Sequence, residues 1–246
     1  GASHVRTSGP IELSFDDRVA AVNDPAFAAR LVASAEEKGS ILPADLIFYL
    51  GDEDKPQYTG GPSESLLAMA SAAGEKPVEM FLRLSRETNG KALFTLRFFN
   101  QSMEALAEAI SSEFCLPSLG DAGAHVSQIM DSGWATFVMT HWHRDTGLFS
   151  LAEAVKRLTA APARIMGLAD RGQLQEGMKA DINVINLAQL SERMPEIVND
   201  FPNNAPRFIQ KAKGYRATVC NGQIILENDE HTGLRGGRVL RHGQSA

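Results

Sequence analysis

Apolar residues fall in short continuous runs and helical stripes up to about residue 168, and β alternation takes over beyond it. Ile11-Glu12-Leu13-Ser14-Phe15 alternates as a short strand would. Asp24-Pro25 opens a helix, because the aspartate accepts from free N–H groups and proline suits the first helical position; Phe27, Leu31, Ser34 and Ala35 stripe it and Gly39 ends it. Leu46-Ile47-Phe48-Tyr49-Leu50 is the continuous run of a buried strand, followed by a polar loop from Asp52 to Pro62. Helices are predicted over 63–73 and 77–86, the second striped by Val78, Phe81, Leu82 and Ser85, then a strand over 92–99 and a helix carrying Met103, Leu106, Ala107 and Ile110. The run Phe114-Cys115-Leu116 reads as one more strand. This spacing predicts parallel α/β units, whose ligands gather at the carboxyl ends of the strands.

Trp134, Phe137, Val138, His141 and Trp142 make a helical face. Ser150-Leu151-Ala152-Glu153 is a capping box that starts a helix striped by Leu151, Ala154, Val155 and Leu158. From Gly167 the texture is β: Ala180 to Ile185 alternates, and Ala217-Thr218-Val219-Cys220 meets Gln223-Ile224-Ile225-Leu226 across Asn221-Gly222, a two-residue hairpin signal. These patterns divide the chain into 1–168 and an all-β module over 169–246, with a Gly/Arg-rich surface tail from Thr232.

Gly120-Asp121-Ala122-Gly123-Ala124-His125 follows the last predicted strand of the α/β part. Glycines let backbone approach a ligand, and the carboxylate of Asp121 has the chemistry of a metal ligand or general base; a helix-cap or turn aspartate is the competing reading. His125 reads as a supporting donor or a structural histidine. His141-Trp142-His143 would chelate a metal on a strand, but on a helix its imidazoles stand about 200° apart, which assigns them to packing. Tyr58, Arg144 and Asp145 are further polar candidates on loops. No dinucleotide, Walker, nucleophile-elbow or Cys-x-x-Cys motif is present in the sequence.

The 246 residues are 43% hydrophobic, with a formal charge of −6, enough to fill a sizeable core and without a basic footprint for nucleic acid. Cys115 and Cys220 lie far apart, which suggests neither a disulfide framework nor a metal pair and makes the cytoplasm the default location. No apolar run approaches the roughly 20 residues of a membrane span.

Leu119 to Val126, Thr140-His141-Trp142-His143-Arg144-Asp145, Gly167-Leu168-Ala169-Asp170-Arg171-Gly172, Gly177 to Ile185 and Gly214 to Val219 together resemble the C-terminal part of a D-aminoacylase-like (N-acyl-D-amino-acid deacylase) amidohydrolase. The likeness runs from about Leu46 to the end. It implies a metal-dependent (β/α)₈ TIM barrel with a small β-sandwich, of which this chain holds the last strands and helices. It also implies zinc as the cofactor and an N-acyl amino acid or related amide as the substrate, hydrolysed by a metal-activated water. The role that transfers is that of the aspartate after the eighth strand, metal ligand and general base, and it falls on Asp121; Gly120 stands where serine is common.

The family's other metal ligands precede that aspartate, yet His4 is the only histidine before residue 120. The chain is therefore expected to be inactive alone and to need a missing N-terminal portion or an oligomeric partner. Two rivals stand beside this reading. One is a non-catalytic fragment or binding module that needs a partner chain; the other is a cyclic-amidohydrolase or deaminase of the same superfamily, since fold and metal do not set the substrate.

Overall fold

The structure, a computed structural model, describes residues 15–38, 43–118, 120, 130 and 132–240. The chain divides into two compact units, Gly1–Met103 with His125–Ile129, and Glu104–Ala124 with Met130–Ala246.

In the first unit α1 (Phe15–Asn23) and α2 (Pro25–Lys38) precede β1 (Ile47–Tyr49), α3 (Leu66–Ala73), α4 (Pro77–Glu87) and β2 (Phe94–Leu96). Asp24 separates the first two helices and accepts from the Ala26 N–H at 2.9 Å, as its place before proline predicts. Residues 11–14 of the expected first strand lie outside the described residues, and Phe15 begins α1 instead. Ser65 caps α3 by accepting from the Ala68 N–H at 3.2 Å.

The core joins Ile47, Leu66, Ala70, Met80, Leu84 and Phe94. Phe81 stacks on Phe94 with ring centroids 4.7 Å apart, and Tyr49 meets the same ring at 5.5 Å. Helix α4 thus buries Met80, Leu82 and Leu84, with Phe81 at the core margin, rather than the full stripe read from the sequence.

β1 and β2 pair antiparallel, Phe48 opposite Thr95, and not as the expected parallel strands of a barrel. A single crossover helix returns the chain for a parallel partner, whereas here both α3 and α4 intervene between the strands. The strand expected over 92–99 also stops at Leu96, leaving Phe98 and Phe99 exposed in an edge-to-face pair at 5.1 Å.

The second unit contains nearly all of α5 (Met103–Ser111), then α6 (Trp134–Phe137), a π-helical segment over Val138–Asp145, α7 (Leu151–Leu158) and α8 (Ala160–Ile165). Ser150 caps α7 by accepting from the Glu153 N–H at 3.2 Å, but the Glu153 carboxylate turns to Arg157 instead of completing the box. Ser150→Ala is therefore expected to lower stability by about 1 kcal/mol, measurable as a lower urea midpoint at unchanged m-value.

Strands follow from residue 182. β3 (Ile182–Ile185), β8 (Tyr215–Cys220), β9 (Gln223–Glu227) and β10 (Glu230–His231) form a sheet in the order β10-β9-β8-β3. β4 (Ser191–Glu192) pairs with β7 (Ala212–Lys213), and β5 (Glu196–Phe201) with β6 (Ala205–Ile209); every described pair is antiparallel. The predicted hairpin is present: Cys220 pairs with Gln223 around Asn221 (φ 49°) and Gly222 (φ 79°), both in the left-handed region that such a tight turn requires.

Candidate functional site

Asp121 and His125 lie outside the described residues; described segments flank them on both sides. Upstream, α5 ends at Ser111. The expected strand Phe114-Cys115-Leu116 is corrected: the stretch is irregular and Phe114 is 89% exposed. No described strand pairs with it, and its neighbouring carbonyls are engaged elsewhere, by one side chain. Arg157 on α7, only 6% exposed, directs Nη1 to the carbonyl oxygens of Ile110 at 2.7 Å, Ser112 at 3.1 Å and Cys115 at 2.8 Å, and Nη2 to that of Ser111 at 3.4 Å. Its Nε donates to Glu153 Oε1 at 2.7 Å, and its guanidinium lies 4.7 Å from the Phe149 ring centroid. The same hydrogen bond holds the Glu153 carboxyl below the usual carboxylate range.

Downstream, the helix expected over Trp134–Trp142 is present and widens from α to π geometry, marked by the Thr146 N–H donating to the His141 carbonyl five residues back at 2.9 Å. The fate of the imidazoles matches a packing role. His141 stacks on Phe137 at 4.8 Å and lies edge-on to the buried Trp142 at 4.5 Å. His143 donates from Nδ1 to the Phe149 carbonyl at 2.9 Å, which sets its tautomer.

Polar contacts from three residues, Thr136, Thr140 and Arg144, tie this helical segment to the β part of its own unit. Arg144, expected with Asp145 on a loop, lies with it at the end of the π-helical segment instead; it donates to the carbonyls of Leu187 at 3.2 Å and Leu190 at 2.6 Å while pairing with Asp145 at 2.9 Å. Thr140 donates to the buried carboxylate of Glu192 at 2.7 Å. Thr136 and the Tyr215 hydroxyl lie 2.9 Å apart, and burial pushes the Tyr215 phenol above its ordinary pKa. In the first unit Arg97 donates to the Tyr58 and Gly60 carbonyls at 2.9 and 2.6 Å and lies 3.8 Å over Phe48.

Among the described residues no group of three or more His, Cys, Asp or Glu side chains is placed to hold a metal ion. The described donors do not by themselves make a metal centre. The one local signal for Arg157 in the sequence is its place four residues after Glu153, an ion-pair spacing on a helix.

Comparison with known proteins bears on what the segment between α5 and the π-helical segment serves. D-aminoacylase of Alcaligenes xylosoxydans xylosoxydans is 36% identical over 109 residues, 44% of this chain and 21% of that protein. N-acyl-D-glutamate deacylase of the same organism is 40% identical over 114 residues, 46% of this chain and 21% of that one. Dihydroorotase of Endomicrobium trichonymphae is 35% identical over 84 residues, 34% of this chain and 20% of its own length. The chain thus spans about a fifth of the length of these relatives. The sequence model of the amidohydrolase family matches residues 68–226. As that match takes in more than half of the 246 residues, the chain belongs to the amidohydrolase family.

Proposed function

We propose that this chain is the part of a metal-dependent amidohydrolase that supplies the general base, Asp121, for hydrolysis of the amide bond of an N-acyl amino acid, with the D configuration preferred. The observation that carries the reading is the family match over 68–226, which brackets Gly120-Asp121 and is accompanied by likeness to a D-aminoacylase and an N-acyl-D-glutamate deacylase. In this reading the carboxylate of Asp121 takes a proton from the attacking water and returns it to the leaving amine. Zinc is the proposed metal, with Asp121 as one ligand and the others contributed from outside these residues.

The same reading treats 1–168 as the closing part of a (β/α)₈ barrel and 169–246 as part of a β-sandwich, to be completed by further chain or by an oligomeric partner. No described helix is long and apolar enough to cross a membrane. The proposed location is the cytoplasm, where unpaired thiols such as those of Cys115 and Cys220 persist. Likeness to a dihydroorotase favours a second reading, hydrolysis of a cyclic amide.

The test separates the isolated chain from the complete enzyme. The 246-residue chain is expected to bind zinc weakly in equilibrium dialysis and to release no amino acid from N-acetyl-D-amino acids, while the complete enzyme binds zinc tightly and releases the amino acid. Stoichiometric tight zinc or turnover by the isolated chain would overturn the division of ligands. Ring opening of a cyclic amide by the complete enzyme, without N-acyl-D-amino-acid turnover, would favour the second reading.

A further inference from the structure

We infer that Arg157 is a positioning residue that sets the path of the chain from the end of α5 toward Gly120. The last carbonyls of a helix have no partners within it and carry the negative end of its dipole, so a cation there is favourable. A glycine cap would satisfy one or two such groups. Arg157 engages four carbonyl oxygens between Ile110 and Cys115 from one planar fork, and so specifies the direction of exit as well as the end of the helix.

The fork is itself held, by Glu153 on one edge and the Phe149 ring on its face. The guanidinium carries a permanent charge in a buried place, which its ion pair and carbonyl acceptors offset. Lysine keeps the charge but offers a rotatable point donor, which cannot reproduce the planar set.

The functional consequence rests on the reading of Asp121 as general base. Asp121 follows Cys115 by six residues, and an approximately 1 Å misplacement of a reacting group can lower a rate about a hundredfold. Arg157 acts through the backbone and is assigned no contact with a reacting atom. Its effect is on where the backbone that carries the base emerges.

The experiment has a structural arm and a kinetic arm. In the 246-residue chain, Arg157→Lys should raise amide hydrogen exchange over residues 112–118 about tenfold and leave the hairpin strands Tyr215–Cys220 and Gln223–Glu227 at wild-type protection. In the complete enzyme the same change should lower kcat between about tenfold and a hundredfold with KM within about twofold. Glu153→Gln keeps the guanidinium but removes its carboxylate partner; it should move both readouts in the same direction by less, and it serves if Arg157→Lys fails to fold.

Unchanged exchange over 112–118, or loss of protection spread through the whole second unit, would reduce Arg157 to a general stabiliser and overturn the inference. So would a local rise in exchange with kcat unaltered. If instead Asp121→Asn leaves turnover intact, it is the reading of Asp121 that fails, and the exchange result still reports whether Arg157 fixes this path.

Discussion

Gly214→Ala is expected to destabilise the protein by about 3 kcal/mol, combining a left-handed backbone cost with a steric clash. Gly214 joins β7 to β8 with φ 104°, a conformation that L side chains rarely adopt. A Cβ placed there would stand 2.7 Å from the Cα and 2.8 Å from the N of Leu190, and 3.0 Å from the carbonyl carbon of Gln189. These are backbone atoms, so no rotamer change can make room. The Leu190 side chain is 1% exposed, its carbonyl anchors Arg144, and the Gly214 carbonyl accepts from Asn186 at 2.8 Å; moving the backbone disturbs all three.

Gly222→Ala provides the comparison. Gly222 also has a positive φ, of 79°, but nothing lies within 4 Å of its would-be Cβ. Only the left-handed backbone cost of roughly 1–2 kcal/mol applies there. Urea unfolding of the two variants separates the conformational from the steric contribution, and a Gly214→Ala midpoint equal to that of Gly222→Ala would refute the crowding argument.

The features that were legible in the sequence depend on a few neighbouring residues. Asp24-Pro25, Ser150 at the start of α7 and Asn221-Gly222 each act through backbone groups within four residues, and each lies where the sequence places it. Features that depend on distant partners were not legible. The antiparallel pairing of β1 with β2 follows from passing two helices, and the apolar run at Phe114 does not become a strand among the described residues because no strand meets it and Arg157 engages carbonyls beside it. The π-widening at His141 keeps the helical stripe while adding one residue to the turn, which periodicity over so short a stretch does not resolve.

The candidate site divides along the same line. Asp121 stood out locally by its flanking glycines, and its proposed role came from resemblance over many motifs. Arg157 could not stand out, because its acceptors are backbone carbonyls 42 to 47 residues earlier, which have no side-chain signature. Glu153, expected to complete the Ser150 capping box, and Glu192, which no local pattern marks, take on roles set by their partners in the fold. One orients a buried arginine, and the other is itself buried and accepts from Thr140.

Asp121→Asn in the complete enzyme is expected to lower kcat about a thousandfold, within the range that removing a positioned general base produces. Asparagine has nearly the same size and still accepts a hydrogen bond through its amide oxygen, so substrate binding should persist and KM should stay within a few-fold. What it cannot do is take a proton from water and hand it on to the amine. An effect on KM with kcat preserved would assign Asp121 to substrate binding instead, and retention of more than about a tenth of wild-type kcat would return it to the turn-aspartate role that its glycine-rich surroundings also allow. Bound metal measured on the same preparation distinguishes the two proposed duties of the carboxylate. Loss of turnover at full metal content isolates the base, whereas parallel loss of both makes ligation the dominant duty of Asp121.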